Sequence, residues 1–372
     1  MAPTIVTGRR YDAERMIKPA LRSMPAYQRE EAPASPPPRE IRLDWNESAY
    51  GPSPKVRAAL AAFAGFHRYP PIDAGVLREA LGRYIGAPAE QVICGAGLDD
   101  VLNTLAMTLL EPGDRVIISE PTFGVYRPLF SGHGAEVVDV PLAPGWDLDV
   151  EALLAAADDR TKLIVVCNPN NPTGTLFDPA AVERVCAEAP CVVAIDEAYA
   201  EFAGVAHRPL MERYPNVAVL RTMSKFAGLA GMRVGYGVFP ESLVGYALRV
   251  MPAFANIGAA SATAAIASLD DLPYLDGVVA RIVADREALA DRLREIPGVE
   301  PVASATNFLL VKLPVEDAGP VVGELGRRGV FVRHFGRPSL GLRPYLRVSL
   351  GTPEENAIFA DELADILGEG AA

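Results

Sequence analysis

Val217-Ala218-Val219-Leu220-Arg221-Thr222-Met223-Ser224-Lys225 is an apolar run that ends in hydroxyl residues and a lysine. A glycine-rich bend, Phe226-Ala227-Gly228-Leu229-Ala230-Gly231-Met232, then leads to Arg233. Most lysines are solvated surface charges. Lys225 differs, because its neighbours are small or apolar and a second cation follows eight positions on. A lysine desolvated beside another cation loses its proton more readily and becomes a usable nucleophile and base.

Similar runs lie on both sides of this one. Residues 115–119, 162–167, 192–196 and 234–239 are apolar and β-rich, with helical patterns such as 99–110 and 179–188 between several of them. Near-continuous apolar strands alternating with helices indicate an α/β fold with a mostly parallel sheet covered on both faces. Short helices are expected at 57–63 and 76–85. The long helical stretch 275–295 changes the rhythm. Strands expected at 307–312, 330–334 and 345–349, with a helix at 321–328, then indicate a smaller α+β domain. Tyr11, Pro19, Pro25, Pro33 and Pro36-Pro37-Pro38 crowd the first forty residues, which cannot sustain a long helix or a central strand and read as an extended arm. The expected organisation is an arm over 1–50, a large domain over 51–265 and a small domain over 266–372.

Composition narrows the function. The chain has 372 residues, enough for two packed domains, and half of them are apolar. It contains no apolar run of about 18 residues, so no membrane helix is expected. The N-terminus carries no basic head followed by an apolar stretch, so secretion is not expected either. A net charge of −12 argues against a general nucleic-acid binder but not against a small anion held by local arginines. Cys94, Cys167, Cys186 and Cys191 form no CxxC pair and no zinc-ligand ladder, which points to the reducing cytosol and no metal.

The unusual residues fall at strand ends, where open α/β sheets bind ligands. Cys94-Gly95-Ala96-Gly97-Leu98-Asp99-Asp100 closes a strand and opens a helix. It is either an ordinary Asp-capped turn or a helix N-terminus offered to a phosphate. Asn168-Pro169-Asn170-Asn171-Pro172-Thr173-Gly174 is more rigid than a turn alone needs. Asp196-Glu197-Ala198-Tyr199 places an acid at the end of an apolar strand. That acid is either exposed there or buried against a positive partner.

Together, in order and approximate spacing, these pieces resemble the fold-type-I aminotransferases, which use pyridoxal 5′-phosphate (PLP). More narrowly, the chain resembles the histidinol-phosphate aminotransferase family. The likeness also takes in Leu43-Asp44-Trp45-Asn46-Glu47-Ser48-Ala49-Tyr50-Gly51-Pro52, Arg68-Tyr69-Pro70, Thr306-Asn307-Phe308, Val332-Arg333 and Leu346-Arg347-Val348, and so covers nearly the whole chain.

The resemblance implies that Lys225 forms a Schiff base with PLP and moves the proton, and that Asp196 pairs with the pyridine nitrogen. It implies that Tyr199 and Asn171 bond the ring's 3′ oxygen and that Phe123 stacks on the ring. The backbone of Leu98 and Asp99, with Thr222, Ser224 and Arg233, would hold the phosphate. Tyr69 would reach that phosphate from a second subunit, making the active unit a homodimer. Arg347, with Arg333 nearby and Tyr50, would bind the substrate, the arginines serving both phosphate and carboxylate anions. Both arginines also have an ordinary surface reading. The implied reaction converts histidinol phosphate and 2-oxoglutarate to imidazole acetol phosphate and glutamate in histidine biosynthesis.

Other readings share the scaffold. An aromatic amino-acid aminotransferase needs a similar apolar pocket, and a phosphothreonine-type PLP decarboxylase breaks a different bond at the same carbon. A PLP-sensing regulator needs a DNA-binding domain, for which the forty proline-rich residues ahead of the core are too few. The chain departs from the family's usual pattern at Leu98 and Trp45, where smaller residues are commoner, and at Met24-Pro25-Ala26-Tyr27, whose continuation lacks the expected glycine.

Overall fold

A computed structural model describes residues 16–22, 39–251 and 256–369. Tyr11, Pro25, Pro33, the proline run and the Met24–Tyr27 stretch lie outside the described residues. Seven strands form the main sheet: β2 (Val92–Gly95), β3 (Arg115–Glu120), β4 (Glu136–Pro141), β5 (Thr161–Cys167), β6 (Val192–Asp196), β7 (Val217–Thr222) and β8 (Gly235–Val238). Their order is β2-β8-β7-β6-β5-β3-β4, and only β8 runs against its neighbours. The parallel strands therefore end at one edge.

Central strands of such a sheet are covered on both faces, which is why β5, β6 and β7 read as unbroken apolar runs. Leu163 to Val166, Val193 to Ile195 and Val217 to Leu220 are all buried. Helices Leu98–Leu109 and Pro179–Glu188 stand where the helical patterns are, the second capped by Asp178, whose side chain accepts the Ala180 amide. Strand β4 escaped the sequence reading. It forms an edge, and its mixed burial gives it no continuous apolar signature.

A second sheet carries the C-terminal part, in the order β12 (Arg333–His334), β13 (Tyr345–Ser349), β10 (Phe308–Lys312) and β9 (Glu300–Pro301). Helices Leu272–Arg294, Gly319–Arg327 and Pro353–Glu369 belong to the same part of the chain. The single strand expected over 330–334 is in fact two. Val330–Phe331 (β11) pairs in parallel with Ile41–Arg42 (β1) of the arm, and Arg333–His334 pairs with β13. The segment changes partner at Val332 because the arm supplies a second edge that local sequence around 330 does not announce. Arm residues Ile41 and Leu43 are buried.

Beneath the sheet edge lies a buried ionic cluster. Arg221 of β7 donates from Nε to Glu197 (2.6 Å) and from Nη1 to Glu201 (3.3 Å). His207 contacts Glu197 through Nδ1 (2.7 Å), and the Tyr84 hydroxyl donates to Glu201 (3.2 Å). Burial pushes Glu197 up, but His207 and Arg221 outweigh it and hold the carboxylate below its ordinary range. Glu201 rises to about 7, chiefly by burial, with Arg221 opposing. Removing one member of a buried pair strands the other charge. Arg221→Met is therefore expected to cost about 3–5 kcal/mol of stability in urea unfolding. A loss below about 1 kcal/mol would show that these carboxylates need no counter-ion.

Candidate active site

Strand ends β2, β3, β5, β6 and β7 deliver the site. Lys225, just past β7, donates from Nζ to the Trp45 carbonyl (3.0 Å). Burial first, and then the Arg347 guanidinium, pull its amine down to about 8, with Arg233 adding to the effect and Glu47 and Asp99 opposing it. The partly desolvated lysine read from sequence is thus present, half-buried, and Arg347 is its stronger cationic influence.

Asp196 is buried at the end of β6. One carboxylate oxygen accepts the Tyr126 hydroxyl (2.5 Å) and the other the Ala198 amide (3.0 Å). Burial pushes this acid up to about 6 despite those bonds. Asp196 is thus buried rather than exposed, and the partners it meets in this structure are neutral donors. Tyr126 was not foreseen. Its surroundings, Gly124-Val125-Tyr126-Arg127-Pro128, carry no pattern that marks it, although a buried hydroxyl needs a partner.

The three asparagines after β5 do separate jobs. Asn168 accepts the Phe177 amide (2.9 Å), and Asn170 ties Pro121, Thr122 and Thr173 together. Asn171 donates from Nδ2 to the Tyr199 oxygen (3.2 Å) and accepts from Arg347 Nη1 (2.7 Å). Tyr199 packs edge-on to Phe308, at 5.2 Å between centroids. Arg347 is buried, bonded also to the Asp44 carbonyl (2.6 Å), with Phe308 and Phe335 rings beside its guanidinium.

At the other end, Gly97 (φ +91) precedes helix Leu98–Leu109. A Cβ on Gly97 would stand 2.3 Å from Arg233 Nη2, and one on Gly235 would stand 2.3 Å from the Leu98 nitrogen. Glycine at both positions lets Arg233 and β8 close on the helix start. Arg233 Nη2 lies 3.4 Å from Asp99 Oδ2, and Thr222 Oγ1 accepts the buried Ser224 amide (3.1 Å). Asp100 caps the turn by accepting the Ala96 amide (2.9 Å), as the Asp-capped reading of Gly95 to Asp100 expects.

The remaining candidates sit further out. Phe123 is half-buried and edge-on to Tyr126 at 5.4 Å. Arg333 lies directly across from Arg347 in the β12–β13 pair. Tyr50 donates its hydroxyl to Asp285 and lies under Arg281, and no hydrogen bond or ring contact found among the described residues joins it to the cluster. Tyr69 is 78% exposed.

The model of the family aminotransferase class I and II matches residues 38–363. A histidinol-phosphate aminotransferase of Roseiflexus castenholzii is 43% identical over 90% of this chain and 91% of its own. That of Symbiobacterium thermophilum is 41% identical over 89% and 91%. The chain belongs to the histidinol-phosphate aminotransferase family. A crystal structure of the Sinorhizobium meliloti histidinol-phosphate aminotransferase, solved in complex with pyridoxal-5′-phosphate, superposes with a TM-score of 0.84 at 28% identity, covering 95% of this chain and 96% of that one.

The residues of this aminotransferase fit that cofactor. The glycine-walled helix start with Arg233 and Ser224 suits a phosphate. The buried Asp196 carboxylate suits a protonated ring nitrogen, and the Lys225 amine suits an aldehyde carbon. No cluster of potential metal ligands exists among the described residues. With an amine near pH 8, Lys225 of the cofactor-free chain should acylate half-maximally near that pH. Acetylation pulses read by peptide mass spectrometry test this, and a midpoint for Lys225 above about 10, the range of an ordinary lysine, would contradict it.

Proposed function

We propose that the enzyme moves the amino group of L-histidinol phosphate to 2-oxoglutarate, giving imidazole acetol phosphate and L-glutamate. The observation that carries this reading is a buried arginine, Arg347, in the same site as a lysine whose amine is brought down to about 8 by burial and then by that arginine.

Bound PLP supplies an aldehyde carbon for covalent attachment and an electron-withdrawing ring. Lys225 would hold the cofactor through Nζ, and its free amine would take the proton from the substrate's α-carbon and deliver it to the cofactor's carbon, the net shift that transamination requires. A base near pH 8 suits that task, because it is strong enough to accept the proton and still partly uncharged at neutral pH. Asp196, fixed by Tyr126 and Ala198, would hold a proton on the ring nitrogen. Tyr199 and Asn171 are assigned to the ring's 3′ oxygen and Phe123 to its face. The Leu98 and Asp99 amides, with Thr222, Ser224 and Arg233, are assigned to the phosphate.

Arg347 is assigned to the anion shared by both half-reactions, phosphate in one and carboxylate in the other, and Arg333, its cross-strand neighbour, to the phosphate-bearing end. Tyr50 is kept on the substrate side of the site. We further take the enzyme to be a cytosolic homodimer. Exposed Phe66, Tyr69 and Ile72 offer an apolar surface to a second copy, with Tyr69 assigned to the partner's cofactor phosphate. Its four free thiols accord with a reducing compartment. Among the described residues no helix is long and apolar enough to cross a membrane.

A substrate panel on the PLP-loaded protein tests the reaction. Histidinol phosphate with 2-oxoglutarate is expected to exceed phenylalanine, tyrosine and phosphothreonine by more than about tenfold in kcat/KM. Equal or better use of phenylalanine would make the enzyme an aromatic aminotransferase, and carbon dioxide release without glutamate would make it a decarboxylase.

A further inference from the structure

The carbonyls from Leu43 to Asn46 each receive a hydrogen bond from a different group. Leu43 accepts the Ser349 amide (2.8 Å), Asp44 accepts Arg347 Nη2 (2.6 Å), Trp45 accepts Lys225 Nζ (3.0 Å) and Asn46 accepts Asn307 Nδ2 (3.0 Å). Asn46 is 2% exposed and sits in the left-handed region at φ 54. Asparagine tolerates that conformation better than most residues.

The side-chain bonds around Asn46 have a fixed direction. Its backbone amide donates to Ser349 Oγ (2.8 Å), so the Ser349 hydroxyl turns its proton to Asn46 Oδ1 (2.9 Å). That sets the amide, and Nδ2 faces the Tyr199 oxygen at 3.0 Å. On the other side Arg347 donates to Asn171 Oδ1, which sets that amide and aims its Nδ2 at the same oxygen. A phenolic oxygen that accepts two N–H donors has used its lone pairs, so its own proton must point elsewhere.

We propose that Asn46, oriented by Ser349, is a positioning residue that works with Asn171 to make Tyr199 a hydrogen-bond donor to the bound cofactor. The proposal rests on the assignment of Tyr199 to the ring's 3′ oxygen. Two incoming donors polarise the phenol and strengthen its outgoing bond. A stronger donor favours the anionic 3′ oxygen, and with it the unprotonated form of the Lys225–cofactor linkage. The ionisable groups that act on Tyr199 are Arg347 from β13, Asp196 from β6 and Cys167 from β5, and burial raises the phenol well above its ordinary range. None of them is altered by changing Asn46 or Ser349.

The test is a pH titration of the bound cofactor's visible band in PLP-loaded, full-length protein. Asn46→Gly keeps the left-handed backbone and deletes the amide. Its titration midpoint is expected to rise by about 0.5–1 unit, the scale of one hydrogen bond. Ser349→Ala, which only releases the Asn46 amide, is expected to shift the midpoint the same way by less. An unchanged midpoint in Asn46→Gly alongside a lowered Tm would reduce Asn46 to an anchor for the arm and overturn the proposal. Should that variant not fold, an unchanged midpoint in Ser349→Ala overturns it equally. A wild-type protein that shows no band of a lysine-bound cofactor at any pH would instead remove the Lys225 assignment, and the proposal with it.

Discussion

The partial withdrawal of Lys225 from water is the constraint on which the rest of this site depends. A buried ammonium is costly, and the molecule relieves the cost by letting the amine lose its proton near pH 8 and by offering it the Trp45 carbonyl. Arg347, close enough to lower that amine, must itself be held in place. It is held by a carbonyl of the arm and by Asn171, and these same contacts position Tyr199. One desolvated nitrogen thereby links the sheet edge, the C-terminal strands and the arm into a single arrangement.

Asp196 faces the converse problem. Burial favours its neutral form, yet its proposed task needs the carboxylate. Tyr126 and Ala198 supply two donors, and a cationic ring nitrogen would supply the remaining compensation. One residue further on, Glu197 meets the same burial with Arg221 and His207 and stays below the ordinary carboxylate range. Adjacent acids on one strand end are thus driven apart by their partners, the usual way in which two carboxylates acquire different duties.

Much of this was legible in the sequence. The parallel strands β5, β6 and β7 announce themselves because burial on both faces demands unbroken apolar runs, and their ends locate Asn171, Asp196, Tyr199 and Lys225. What stayed hidden depends on contacts between distant segments. The edge strand β4 carries no continuous apolar pattern. The division of 330–334 between two sheets depends on an arm nearly three hundred residues earlier in the chain. Tyr126 and Ser349 look unremarkable in a linear reading and acquire their roles only when folding brings Asp196 and Asn46 to them. Asn46 lay within a quoted motif, but the direction of its hydrogen bonds is a property of the assembled network.

The most direct test of this account is to find where the cofactor attaches. PLP-loaded protein would be reduced with borohydride, digested and mapped by mass spectrometry. The account predicts the pyridoxyl mass on the peptide containing Lys225 and on no other lysine. Stoichiometric label on Lys55, Lys162 or Lys312, or none on Lys225, would contradict it.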